Sequence, residues 1–154
     1  MIQRTQTIWL FITALFTGLI IKTGIINLTG NEDSKYMVGY SGIYRFTGHD
    51  NAVIHPSFIL PSLILLIVVL SITAILLFKT RRIQKIVTLI IICLSSVFIV
   101  FTIVCTYKVM QDYNASPEPG LRALFPVISL VASLLALRGI NKDEKLVRSY
   151  DRLR

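Results

Sequence analysis

The chain has 154 residues, room for one domain. Apolar residues make up 54% and charged residues 16%, a balance too oily for a soluble domain of this size, so the surplus must face lipid. The formal charge of +8 suits a nucleic-acid binder until the basic residues are placed along the chain.

The first apolar run covers residues 7–26, with Lys22 near its far end, where a lysine snorkels to the interface at modest cost. Arg4 ahead of an apolar run is also how a cleaved signal peptide begins. The stretch that follows, "IIKTGIINLTG", has no small-x-small cleavage site, so the run is read as an uncleaved span. Residues 57–78 and 86–107 contain no charged side chain and reach the roughly 20 residues a spanning helix needs. Cys93 and Cys105 share the second of these runs, about 18 Å apart along a helix, too far for a mutual disulfide. The fourth run, 121–140, is closed by Arg122 and Arg138, and Pro126 one turn inside it predicts a kink.

With the N-terminus inside, the inner segments hold eleven of the sixteen lysines and arginines against three acids. The outer segments hold five of each, so the whole net charge sits on one side. Under the positive-inside rule both termini are cytoplasmic. The basic balance is then a device of membrane orientation, and no nucleic-acid partner is needed to explain it.

The outer loop, 27–56, contains "YMVGYSGIYRF", in which Tyr36, Val38, Tyr40, Gly42, Tyr44 and Phe46 alternate with the period of a strand. The favoured reading makes Tyr36, Tyr40, Tyr44 and Phe46 an aromatic belt at the outer interface. The alternative is a short hairpin covering the bundle mouth or meeting a partner. His49, Asp50 and His55 in "GHDNAVIHP" lack metal-ligand spacing and a third strong ligand, so no metal and no cofactor is expected.

No Asp, Glu, His, Lys or Arg lies at the midplane of a span, which counts against ion-coupled transport. Small residues do stand at packing distance: Ala14 and Gly18, Ser129 and Ser133, Ala132 and Ala136. No GxSxG, HExxH or paired-carboxylate pattern occurs, so the chain is expected not to be an enzyme. "RTQ" at 4–6 and "RIQ" at 82–84 each precede an apolar run, an echo that two tandem hairpins or chance would supply.

At the C-terminus, Gly139 is a helix stop, and Asn141 with Glu144 has the form of a capping box. A separate amphipathic helix would then carry Leu146, Val147, Tyr150 and Leu153 on one arc, with Asp143 intruding on it. Glu144 stands four residues before Arg148, the spacing of a helical ion pair. Leu146, Val147, Tyr150 and Leu153, with Arg148 and Arg152 for charge, are the candidate contacts to the anionic inner leaflet or to a partner groove.

The opening "MIQRTQT" and the ending "FPVISLVASLLALRGINKDEKLVRSYDRLR" resemble the ends of a domain-of-unknown-function family of small bacterial inner-membrane proteins typical of Bacteroidetes. The likeness is close over 142–148 and 151–154. Tyr150 stands where a small residue is usual, and the middle matches in hydropathy pattern alone. The resemblance implies four spans with both termini inside, and no activity.

The resulting expectation is an all-α membrane protein, an up-down bundle of four helices spanning 7–26, 57–78, 86–107 and 121–140. A short cytoplasmic amphipathic helix, 141–154, would follow. Its partners would be the lipid bilayer and another membrane protein, for which it serves as an accessory or scaffolding subunit. A small-solute or lipid transporter built by oligomerisation, using Ser95, Ser96, Thr102, Ser129 and Ser133, is the alternative. A lipid-modifying enzyme at His49, Asp50 and His55 is the third.

Overall fold

A computed structural model describes residues 3–30, 34–47, 50–118 and 120–151. Four helices and five strands follow one another along these residues: α1 (Gln3–Thr23), β1 (Ile26–Thr29), β2 (Lys35–Gly39), β3 (Gly42–Thr47), β4 (Asp50–Pro56), α2 (Ile59–Leu76), α3 (Arg81–Tyr113), β5 (Ser116–Glu118) and α4 (Phe125–Asp151). Short 3-10 turns at Leu77–Lys79 and Leu121–Leu124 precede α3 and α4. The helices form a ring in which each packs on its sequence neighbours and α4 closes on α1.

The buried positions show why the ring holds. They recur at alternating steps of four and three: Gln6, Leu10, Thr13, Thr17 and Ile20 on α1; Leu60, Ile64, Ile67, Ser71 and Ala74 on α2; Gln84, Thr88, Ile91, Ser95 and Phe98 on α3. This is the seam spacing of left-handed helix packing. Serines and threonines fill much of the seam, while Leu65, Leu76, Val100 and Ile103 stand 60–70% exposed on the outside. A soluble bundle has the opposite arrangement. Each helix contains a window long and apolar enough to cross a membrane: Thr5–Thr23, Ile59–Leu76, Arg81–Tyr113 and Leu121–Glu144.

The chain is not all-α. Its strands form one antiparallel sheet in the order β4-β3-β2-β1-β5. All five lie in the connections that follow α1 and α3, so the sheet caps one end of the ring. The two-residue turn at Tyr40 and Ser41 pairs Gly39 with Gly42, and register then sets Tyr36 opposite Arg45 and Met37 opposite Tyr44. Even-numbered positions before the turn therefore share a face with odd-numbered ones after it. The alternation from Tyr36 to Phe46 is real strand periodicity, carried on two strands of a hairpin. Gly42 is required at that turn. Its φ is +139°, and a Cβ there would stand 2.1 Å from the His55 carbonyl oxygen.

α3 has 33 residues, about 50 Å, against a hydrocarbon core of about 30 Å. Its last turns support the sheet: Val109, Met110 and Tyr113 pack with Leu28, Tyr36, Val38 and Ile43. The Tyr36 and Tyr113 rings stack at 4.7 Å.

Two expectations about α4 are also corrected. Pro126 is its second residue, where the missing N–H costs no helical bond, so it starts the helix and does not kink it. Gly139 does not end the helix, which runs unbroken through Asn141 to Asp151. The expected separate tail helix is the continuation of the fourth.

Candidate functional site

In the ring's interior the hydroxyls bond mainly to their own helix. Ser71 Oγ donates to the Ile67 carbonyl at 2.7 Å, Thr88 Oγ1 to Gln84 at 2.8 Å, and Thr102 and Thr106 to Phe98 and Thr102 at 2.9 Å each. Thr17 and Ser129 share one interhelical bond of 2.7 Å between α1 and α4. Such back-bonding satisfies a hydroxyl where no water is at hand. Of the residues expected to line a path, Ser95 is buried with no partner for its Oγ. Ser96 is exposed and bonds the Ile92 carbonyl at 2.9 Å. Thr102, Ser129 and Ser133 are buried in the seam.

The end of the ring that holds the chain's N-terminus and the α2–α3 turn is tied by polar groups. Asp143 is the one charged side chain among the described residues that is fully buried, at 5% exposure. The Gln6 amide Nε2 donates to its carboxylate, and Arg81 donates to its backbone carbonyl at 3.2 Å. Lys85 meets the Glu144 carboxylate at 3.4 Å, so Glu144 reaches across to α3. Gln84 donates to the Ala74 carbonyl at 3.0 Å. A Cβ on Gly139 would stand 3.0 Å from Gln6 Cγ, so the glycine admits Gln6 against α4.

At the other end two cavities flank the sheet. One, about 280 Å³, is lined by Asn27, Thr29, Lys35, Glu118 and Arg122 over a floor of Met37 and Phe46. The second, about 240 Å³, lies between the β3–β4 hairpin and α3, lined by Ile43, Phe101 and Cys105 together with His55, Lys108 and Asp112.

The expected outer belt is divided. Tyr36 is buried against Tyr113, Tyr44 and Phe46 are half-buried, and Tyr40 is exposed at the turn. His49 lies outside the described residues. Asp50 and His55 are at opposite ends of β4, and no group of three or more metal-ligating side chains occurs among the described residues. Leu146, Val147, Arg148 and Tyr150 belong to the last turns of α4, whereas Arg152 and Leu153 lie outside the described residues.

The candidate residues missed in the sequence are Gln6 with Asp143, and the set around Lys35 and Arg122. Two signals pointed to the first. Asp143 spoiled the apolar arc of the tail, and the repeated "RTQ" and "RIQ" end in Gln6 and Gln84, both buried at the same end of the ring. No periodicity marks the second, because its residues come from four strands and a 3-10 turn.

Residues 2–153 match the family described as a domain of unknown function, DUF4293. The chain belongs to that family. No curated protein matches it.

Proposed function

We propose that this DUF4293 protein is a non-enzymatic scaffold or accessory subunit of a larger assembly in a bacterial inner membrane, with both termini cytoplasmic. The observation that carries this reading is the division of labour along the ring. The interior hydroxyls bond mainly to their own helix backbone, while polar side chains tie one end and line a cavity at the other. That pattern favours a protein that presents surfaces over one that passes a solute. The orientation rests on the eleven lysines and arginines of the N-terminus, the α2–α3 turn and the C-terminal segment. The partner is another membrane protein, held beside the continuous α4.

Affinity purification from mild detergent tests it, with full-length chain beside a chain lacking residues 145–154. The cut leaves Asp143 and Glu144 in place. A membrane protein that co-purifies with the full chain and is lost with the shortened one is the expected result. Recovery no greater than with an unrelated four-helix membrane protein would defeat the proposal. A reporter joined after Arg154 and found in the periplasm would invert the orientation.

A further inference from the structure

We propose that the 280 Å³ cavity beside β1, β2 and β5 binds a zwitterionic phosphoester, the ethanolamine phosphate headgroup carried by a membrane phospholipid. Position comes first. Arg122 Nη1 donates to the Thr23 carbonyl at 2.9 Å. Thr23 is the last residue of α1, and Arg122 stands just before α4. The guanidinium thus sits where two apolar rods stop, the depth of a lipid headgroup. On either side of it Leu121 and Leu124 are 82% and 50% exposed, apolar surface suited to acyl chains.

Charge comes second. The lining holds two cations, Lys35 and Arg122, and one carboxylate, Glu118, with Asn27 and Thr29 between them. Register explains why the opposite charges do not cancel. Thr29 pairs with Lys35, and Asn27 pairs with Glu118, so β1 separates the lysine from the glutamate. Two strand spacings put their backbones about 10 Å apart. The Lys35 ammonium has no hydrogen-bond or ion-pair partner among the described residues, and the Glu118 carboxylate accepts from the Thr29 hydroxyl. A phosphate fits the lysine and guanidinium, and a primary ammonium fits the carboxylate. The ligand is therefore dipolar, in keeping with an outer end whose five cations and five acids balance.

The test is native mass spectrometry of the full chain in detergent. It would be titrated with dioleoyl phosphatidylethanolamine, phosphatidylcholine or phosphatidylglycerol, or with acyl-free glycerophosphoethanolamine. The wild type should favour phosphatidylethanolamine. Lys35→Ala should weaken that binding about tenfold, the equivalent of one charge-assisted hydrogen bond. Lys35→Arg should restore it, and Glu118→Gln should abolish the preference over phosphatidylglycerol. Competition by glycerophosphoethanolamine would assign recognition to the headgroup alone, and its failure to compete would assign it to headgroup and acyl chains together. Lys35 is exposed, so its variants keep the fold, checked by circular dichroism. Equal binding of the three phospholipids by the wild type, or a Lys35→Ala affinity matching that of Lys108→Ala, overturns the proposal.

Discussion

Gln6 and Asp143, 137 positions apart, meet at the base of the ring, the amide of one donating to the buried carboxylate of the other. One oxygen of that carboxylate has a donor and the second, Oδ1, has none. The contact joins the first turns of α1 to the part of α4 expected to be a free tail.

Removing one partner strands the other. Asp143→Ala leaves the Gln6 amide buried without an acceptor and should cost about 1–3 kcal/mol. Asp143→Asn keeps an acceptor and should stay within about 1 kcal/mol of wild type. Denaturant unfolding in detergent, followed by circular dichroism, measures both. In a double-mutant cycle Gln6→Ala should add little to Asp143→Ala.

Lys85 and Glu144 lie nearby but in water's reach, their side chains 38% and 25% exposed. Lys85→Ala should therefore cost less than about 1 kcal/mol, and raised salt should shrink the difference. A loss exceeding that of Asp143→Ala in the same unfolding assay would show that this pair outweighs the buried one.

Gly139 separates propensity from packing. Alanine there gains up to about 1 kcal/mol of helix propensity but puts its Cβ 3.0 Å from Gln6 Cγ, so Gly139→Ala should be close to neutral. Gly139→Leu cannot be accommodated by a small shift of Gln6 and should lose about 1–3 kcal/mol. The unfolding midpoints of the two variants should fall in that order.

At the other end, Gly42→Ala sets a methyl group against the His55 carbonyl in a backbone region closed to alanine. The turn must rearrange, so amide exchange should accelerate in β3 and β4 while α1 to α4 keep their protection. Uniform loss of protection would mean the sheet and the ring unfold together.

Cys93 tests which surface lipid covers. It is exposed on the outside of α3, midway along the helix, and Cys105 is half-buried. A membrane-impermeant maleimide should leave Cys93 unlabelled in intact membranes and label it after denaturation in SDS. Labelling in the intact membrane would remove α3 from the bilayer.

The helical frame was legible because runs such as 57–78 and 86–107 leave no alternative to a long apolar helix. Local rules failed at the joints. Gly139 and Asn141 have the composition of a stop, yet the long contact of α4 with α1 outweighs the cost of a helical glycine. The sheet was half legible. Strand periodicity from Tyr36 to Phe46 was visible, but pairing depends on where the turn falls, and a one-residue difference moves Tyr44 to the other face. β5 carried no signal at all. Ser116 and Glu118 flank Pro117 in three exposed residues, a strand only because β1 lies beside it.

That last pairing reaches beyond the sheet. β1 belongs to the connection after the first helix and β5 to the connection after the third, so the cap is stitched from both halves of the polypeptide. A ribosome delivering the chain must finish the whole third helix before the closing strand exists. Until residue 118 arrives, β1 is the open edge of a four-stranded sheet. Closure of that edge waits on the third helix, and two separately expressed halves should regain it only when they meet in one bilayer.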